Sequence, residues 1–288
     1  TDNGAGDHDS TRRMVDFYIG HGVTGLTILG MMGEANKLTA EERRELIDIV
    51  IARAGNTPVV VGVSDAGLAN LADLGRYAMD RGAAGLMIAP NAGPAREDRI
   101  EAYFHAVAAA LGPDIPIVFQ DFPLATNLPV SPGFIRRLSQ SLDQIVMLKH
   151  EDWPGLGKIS QLRAQEKAPG VKRLSILVGN GGLYLPQELQ RGADGAMTGF
   201  AYPEALVRTV ALHRAGKVDE AEDLFDRYIP ILRHEQQPGF GLAVRKYVLM
   251  RRGAMATAAT RAPGPSLSKE DIAEVERLMR RLETRLQG

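Results

Sequence analysis

Lys149, His150, Glu151 and Asp152 close the segment Gln144-Ile145-Val146-Met147-Leu148, whose apolar, partly β-branched run reads as a buried strand opening onto a surface. Side chains alternate along a strand, so Lys149 and Glu151 share one side and His150 takes the other. A lysine at the mouth of such a strand can attack a carbonyl once it has lost its proton, and a carboxylate two residues on can carry protons to and from the adduct. Desolvation favours the neutral amine and a neighbouring carboxylate opposes it. Because most lysines at strand ends are simply solvated, the assignment depends on what surrounds this one.

Two glycine-rich stretches add a second kind of chemistry. Gly30-Met31-Met32-Gly33 and Gly179-Asn180-Gly181-Gly182 expose backbone N–H groups near helix starts, an arrangement suited to a carboxylate or a phosphate. Neither completes a dinucleotide fingerprint or a P-loop. The six histidines, His8, His21, His105, His150, His213 and His234, lack the close pairing of metal ligands, and alternation separates His150 from Glu151. We therefore expect neither metal nor cofactor. The chain has no cysteine, which removes thiolate nucleophiles and disulfides.

The elements that must position these residues follow a regular rhythm. Short apolar runs at 25–29, 58–63, 85–89, 115–119, 145–149, 175–178 and 195–198 alternate with amphipathic helices at 39–54, 67–81, 97–111, 131–142, 155–165 and 183–191. A helix over 7–21 precedes the first run, after an Asp/Asn/Gly-rich loop, and helices over 203–216, 218–233, 238–251 and 268–286 follow the last. Thr39 with Glu42, and Ser268 with Asp271, are spaced as capping boxes, and Gly22, Gly82 and Gly192 suit left-handed helix ends. Strict alternation with continuously apolar strands predicts an α/β fold with a parallel sheet, a (β/α)8 TIM barrel over residues 1–216. Seven runs leave one strand to be supplied, expected before Thr1. Residues 217–288 are expected to form a helical extension packed on the barrel.

Composition agrees with an enzyme acting on a small solute. At 288 residues with 44% hydrophobic content the chain can bury a full core, and a net charge of -1 without like-charge blocks gives no nucleic-acid footprint. No run approaches the ~20 apolar residues of a membrane span and the first residues are unlike a signal peptide, so a cytoplasmic protein is expected.

In a barrel the site lies at the C-terminal strand ends, where Gly30-Met31-Met32-Gly33-Glu34, Gln120-Asp121-Phe122-Pro123, Lys149-His150-Glu151, Gly179-Asn180-Gly181-Gly182 and Met197-Thr198-Gly199 fall. These segments resemble the dihydrodipicolinate synthase and N-acetylneuraminate lyase group of class I aldolases. Residues 30–34 are similar to its Gly-Thr-Thr-Gly-Glu signature, Leu148-Lys149 to its Schiff-base lysine, and Gly195-Ala196-Met197-Thr198-Gly199 to its last strand. The resemblance implies Lys149 as the Schiff-base residue, backbone donors at Gly30, Met31 and Met32 for a 2-keto acid's carboxylate, Thr198 and Asn180 as polar wall, and a homotetramer.

The departures are specific. The signature's hydroxyl residues are Met31 and Met32, and the family's phenol falls on Gln120, whose amide hydrogen-bonds but cannot shuttle a proton. The arginine for a second substrate's carboxylate aligns with Ala125, and a tyrosine donated by a neighbouring subunit has no counterpart in Pro90-Asn91-Ala92-Gly93-Pro94. Gln120-Asp121, Lys149-His150-Glu151 and Pro230-Ile231-Leu232-Arg233-His234-Glu235 look most like the 2-keto-3-deoxyarabonate dehydratase branch. A further acidic residue of that branch falls on Leu177 or Val178. The expected activity is dehydration of a 2-keto-3-deoxy sugar acid, with Lys149 as nucleophile, Glu151 moving protons and Gln120 beside them. Retro-aldol cleavage with water or Asp121 as base, a condensing synthase, and a keto-acid-binding barrel without activity are the alternatives.

Overall fold

Each predicted apolar run becomes a strand: β1 (Leu26–Ile28), β2 (Val59–Gly62), β3 (Gly85–Ile88), β4 (Ile117–Asp121), β5 (Ile145–His150), β6 (Ser175–Val178) and β7 (Gly195–Ala196). All neighbours pair in parallel, and sheet order follows chain order from β1 to β7. The structure is a computed structural model that describes residues 1, 3–91 and 96–287. Asp2 of the opening loop and Ala92, Gly93 and Pro94 of the departure noted above lie outside the described residues.

The helices are α1 (His8–Gly20), α2 (Ala40–Ala54), α3 (Leu68–Asp80), α4 (Glu97–Leu111), α5 (Pro123–Thr126), α6 (Pro132–Ser141), α7 (Leu156–Gln165), α8 (Leu185–Gln190), α9 (Pro203–Arg214), α10 (Val218–Glu235), α11 (Gly241–Arg251) and α12 (Lys269–Gln287). Their ends follow from the sequence. Thr39 and Glu42 exchange side-chain and backbone hydrogen bonds (3.2 and 2.8 Å), as do Ser268 and Asp271 (3.1 and 2.7 Å). Gly22, Gly82 and Gly192 leave their helices at φ of 84°, 98° and 99°, where a side chain would be strained. The short α5 has no apolar period and escapes a reading based on periodicity.

The sheet separates two apolar layers. Val59, Val61, Leu86, Ile88, Ile117, Phe119, Leu148, Ile176 and Val178 face the helices and merge with the large core there. The intervening Val60, Met87, Val118, Met147 and Leu177, with Met197 just beyond β7, pack against one another instead. Side chains from β2 through the end of β7 can meet on one face only if the sheet curls around them, as in a barrel interior. The helix layer comes round as well: Tyr18 of α1 donates to the Phe200 carbonyl beyond β7 (3.3 Å). β1 and β7 are nevertheless the sheet's two edges, and the described residues contain no eighth strand.

One irregularity sets the face of the lysine. Ile117 pairs with Ile145, but Val118 pairs with Met147, so Val146 is an extra residue in β5. Ile145 and Leu148 are both in the helix-side core although an even alternation would oppose them. This bulge turns Met147 and hence Lys149 to the inner face; without it Lys149 would point at the helices. After the barrel units, α10 packs on α8 and α9, and α12 packs on α10. Among the described residues no helix is long and apolar enough to cross a membrane.

Candidate active site

Strand register brings the first three residues together. Lys149 lies opposite Gln120 of β4 on one side and Leu177 of β6 on the other. Glu151 follows one alternation later, and its Oε2 stands 3.3 Å from Lys149 Nζ, with the two side chains only 8% and 11% exposed. Gln120 Nε2 donates to the same Oε2 at 2.7 Å. Glu151 is thus aimed by an amide and faces an amine, so a proton on Nζ has an acceptor one hydrogen-bond length away.

Room for that carboxylate is made by Gly179. A Cβ at position 179 would fall on Cγ and Oε1 of Glu151, which is the requirement for glycine here. Its neighbours fasten the surrounding loops: Asn180 Nδ2 donates to the Glu151 carbonyl (3.1 Å), and Thr198 Oγ1 accepts from Gly181 N–H (2.8 Å). Asn180, expected as polar wall for a substrate, holds the loop of Glu151 with its amide. Thr198 accepts from that same region and keeps its hydroxyl proton for a further acceptor.

The turn after β1 has the features of an anion cradle. Met31–Gly33 forms one 3₁₀ turn in which Gly33 N–H bonds Gly30 O (3.0 Å) and Glu34 N–H bonds Met31 O (3.1 Å), so the N–H groups of Met31 and Met32 have no partner within the turn. Gly30 sits over Met87 of the inner layer, and Gly62 lets the Leu29 backbone cross β2 where any Cβ would collide with it. The Met31 and Met32 side chains are 42% and 45% exposed, leaving the backbone as this segment's polar surface. Glu34 anchors the turn through Lys246 (2.6 Å), Lys37 (3.0 Å) and the Arg261 N–H (3.0 Å). Burial pushes the Glu34 carboxyl up, but the two lysines outweigh it and hold it below the usual carboxylate range.

The remaining ionisable residues of the same segments face away. His150 turns toward the helices, with Nε2 against the Gly155 carbonyl (3.1 Å) and Nδ1 3.5 Å from Asp121 Oδ2. Lys158 of α7 reaches both Asp121 (2.7 Å) and Asp152 (2.8 Å). Asp121 is therefore on the wrong side of the sheet to serve as the base of a retro-aldol step at Lys149. Nothing in the sequence pattern marked Lys158 beyond its place on a helix. No acid takes either position named for it: Leu177, opposite Lys149, puts an apolar side chain on the inner face, and Val178 belongs to the outer core. Glu235 is buried and paired with Arg245 while accepting from Ala201 N–H (3.2 Å), which braces the chain beyond Thr198; burial pushes its carboxyl up despite the arginine.

Comparison with known proteins identifies the family. The family model of the Dihydrodipicolinate synthetase family matches residues 1–282. L-2-keto-3-deoxyarabonate dehydratase of Azospirillum brasilense is 30% identical over 98% of this chain and 91% of its own length. 4-Hydroxy-tetrahydrodipicolinate synthase of Methanothrix thermoacetophila is 31% identical over 81% of this chain and 77% of its own. The crystal structure of a dihydrodipicolinate synthase from Rhodopseudomonas palustris superposes with a TM-score of 0.95 at 46% identity, covering 98% of this chain and 93% of that one. The chain belongs to the dihydrodipicolinate synthetase family and is a lyase of the class I aldolase type.

Proposed function

We propose that the protein dehydrates a 2-keto-3-deoxy sugar acid through a Schiff base on Lys149. The observation that carries this reading is the buried contact of Lys149 Nζ with Glu151 Oε2 at 3.3 Å, with Gln120 on the same oxygen at 2.7 Å. Glu151 takes a proton from Lys149, the amine adds to C2 of the keto acid, and Glu151 returns that proton to the C2 hydroxyl, which leaves as water to give an iminium and a carboxylate. The iminium draws electrons from C3, so Glu151 can remove a C3 proton. The resulting enamine expels the C4 hydroxyl as water when that proton is returned to it, hydrolysis frees the amine, and tautomerisation of the released 2-keto-3-enoate through its C4–C5 enol gives the semialdehyde. Met31 and Met32 N–H groups receive the substrate carboxylate, and the Thr198 hydroxyl faces the sugar chain.

Retro-aldol cleavage needs a base on the C4 hydroxyl; the Gln120 amide cannot serve and Asp121 faces outward, which leaves Glu151 for either task, so the products decide between the two reactions. Condensation is the second reading, because the 46% identical relative is a dihydrodipicolinate synthase. Against it stands Ala125, exposed on α5, at the position where the family resemblance expects an arginine for a second carboxylate. Product analysis with a panel of 2-keto-3-deoxy sugar acids tests the proposal. A dehydrated semialdehyde is expected; pyruvate plus an aldehyde, or turnover only in the condensing direction, overturns it. We also propose a homotetramer, tested by sedimentation.

A further inference from the structure

Between the loops that follow β5 and β6 lies a second cavity of about 230 Å³, lined among others by Asp152, Trp153, Pro154, Asn180, Tyr184 and Glu188. Trp153 and Tyr184 meet edge to face with ring centroids 5.1 Å apart and remain 37% and 47% exposed. Glu188 Oε2 is buried without a hydrogen-bond partner, and burial alone pushes this carboxyl up to about 8. A buried carboxyl lacking a donor is costly unless something supplies one. None of the described residues lining the cavity is a lysine or arginine. The lining therefore offers ring surfaces and carboxylate oxygens, and it repels anions.

We propose that this cavity binds a small organic cation, an alkyl- or quaternary ammonium held against Trp153 and Tyr184 with Glu188 as its counter-ion. Aromatic surfaces attract such cations through their ring quadrupoles, and the volume is below the range of drug-sized pockets, so a ligand of few carbons fits. The inference does not rest on the reaction assigned to Lys149, although Gly179 and Asn180, which border the cavity, also make room for Glu151 and hold its loop. The titratable groups that share the cavity with Glu188 are Asp152 and Tyr184. On the helices packed against α8, Lys158 is held by Asp121 and Asp152, Arg163 by Glu166 and Asp194, Glu204 by Arg252, Arg214 by the Asp194 carbonyl, and Glu222 accepts from Gln190.

Trp153 is the only tryptophan of the chain, so fluorescence excited at the red edge, where the seven tyrosines do not absorb, reads this cavity alone. The whole protein is titrated with tetramethylammonium chloride, with sodium chloride and tert-butanol as ionic and neutral controls. A saturable change with tetramethylammonium only is expected, and affinity rises at least about tenfold from pH 6.5 to 8.5 as Glu188 ionises. Glu188→Gln should abolish that pH dependence, and Tyr184→Ala should weaken binding severalfold. Absence of saturation, an equal response to either control, or an unchanged pH profile in Glu188→Gln overturns the proposal. So does a Trp153 that iodide cannot quench in the assembled protein, which would make this face a contact between copies.

Discussion

The ends of β4 and β5 carry ionisable or polar residues on both faces, and the two faces treat them differently. On the helix side, Lys158, a cation brought by another element, ties down Asp121 and Asp152, and His150 lies between Asp121 and the Gly155 carbonyl. On the inner side, the Lys149, Glu151 and Gln120 side chains have only one another among the described residues, in a chamber floored by methionines, valines and leucine. The outer group is a brace, because each charge has a fixed counter-charge. The inner group retains an amine and a carboxylate that can exchange a proton and meet a substrate. Adjacent residues of one strand thus part into structure and chemistry by the direction of a side chain, and in β5 that direction is set by the extra residue at Val146.

Variants on the two faces should behave as differently as the faces do. Lys149→Ala removes the proposed nucleophile, and turnover should fall to background while far-UV circular dichroism stays unchanged. Glu151→Gln keeps shape but loses the proposed proton carrier, so kcat should drop by about 10²–10⁴-fold, measured under saturating substrate. Gly179→Ala drives a methyl into the Glu151 carboxylate, and a displacement of this order costs roughly 10²-fold in kcat with less effect on KM. Lys158→Met on the outer face leaves Asp121 buried without its ammonium partner. It should lower unfolding free energy by about 3 kcal/mol in denaturant titration yet leave turnover of the folded enzyme within severalfold. A folded Lys158→Met protein without activity would erase the distinction drawn between the faces.

The smallest effect concerns pH. Burial raises Glu188 to about 8 in the folded chain, above its ordinary unfolded value, so between those values the folded state binds more protons than the unfolded state. Stability from this group is therefore full below the unfolded pKa and declines as pH rises toward 8. Glu188→Gln should remove that slope, and its melting temperature should gain on the wild type progressively from pH 5 to pH 8.

The sequence reveals the alternation of elements because apolar runs and caps are local: Thr39 with Glu42 and Ser268 with Asp271 need no partner from elsewhere. Lys149 and Glu151 are legible as a pair for the same reason, since two-residue spacing fixes a common side. What escapes is non-local or a matter of register. Val146 reads as one more β-branched residue of a continuous run, though it is the bulge that aims the lysine. Lys158 carries no mark in its own helix, because its meaning comes from Asp121, distant in the chain. Gly179 looks like a glycine of an anion loop, whereas its missing Cβ is occupied by Glu151. Asn180 is likewise engaged by the Glu151 carbonyl, a contact that strand ends make only after folding.

The most direct test of the inner pair is borohydride reduction in the presence of a 2-keto-3-deoxy sugar acid, followed by peptide mass spectrometry. Our account predicts a single reduced adduct on Lys149, formed by the wild type and by Lys158→Met, absent from Lys149→Ala, and slowed in Glu151→Gln. No adduct on any lysine, or an adduct on a residue other than Lys149, would contradict it.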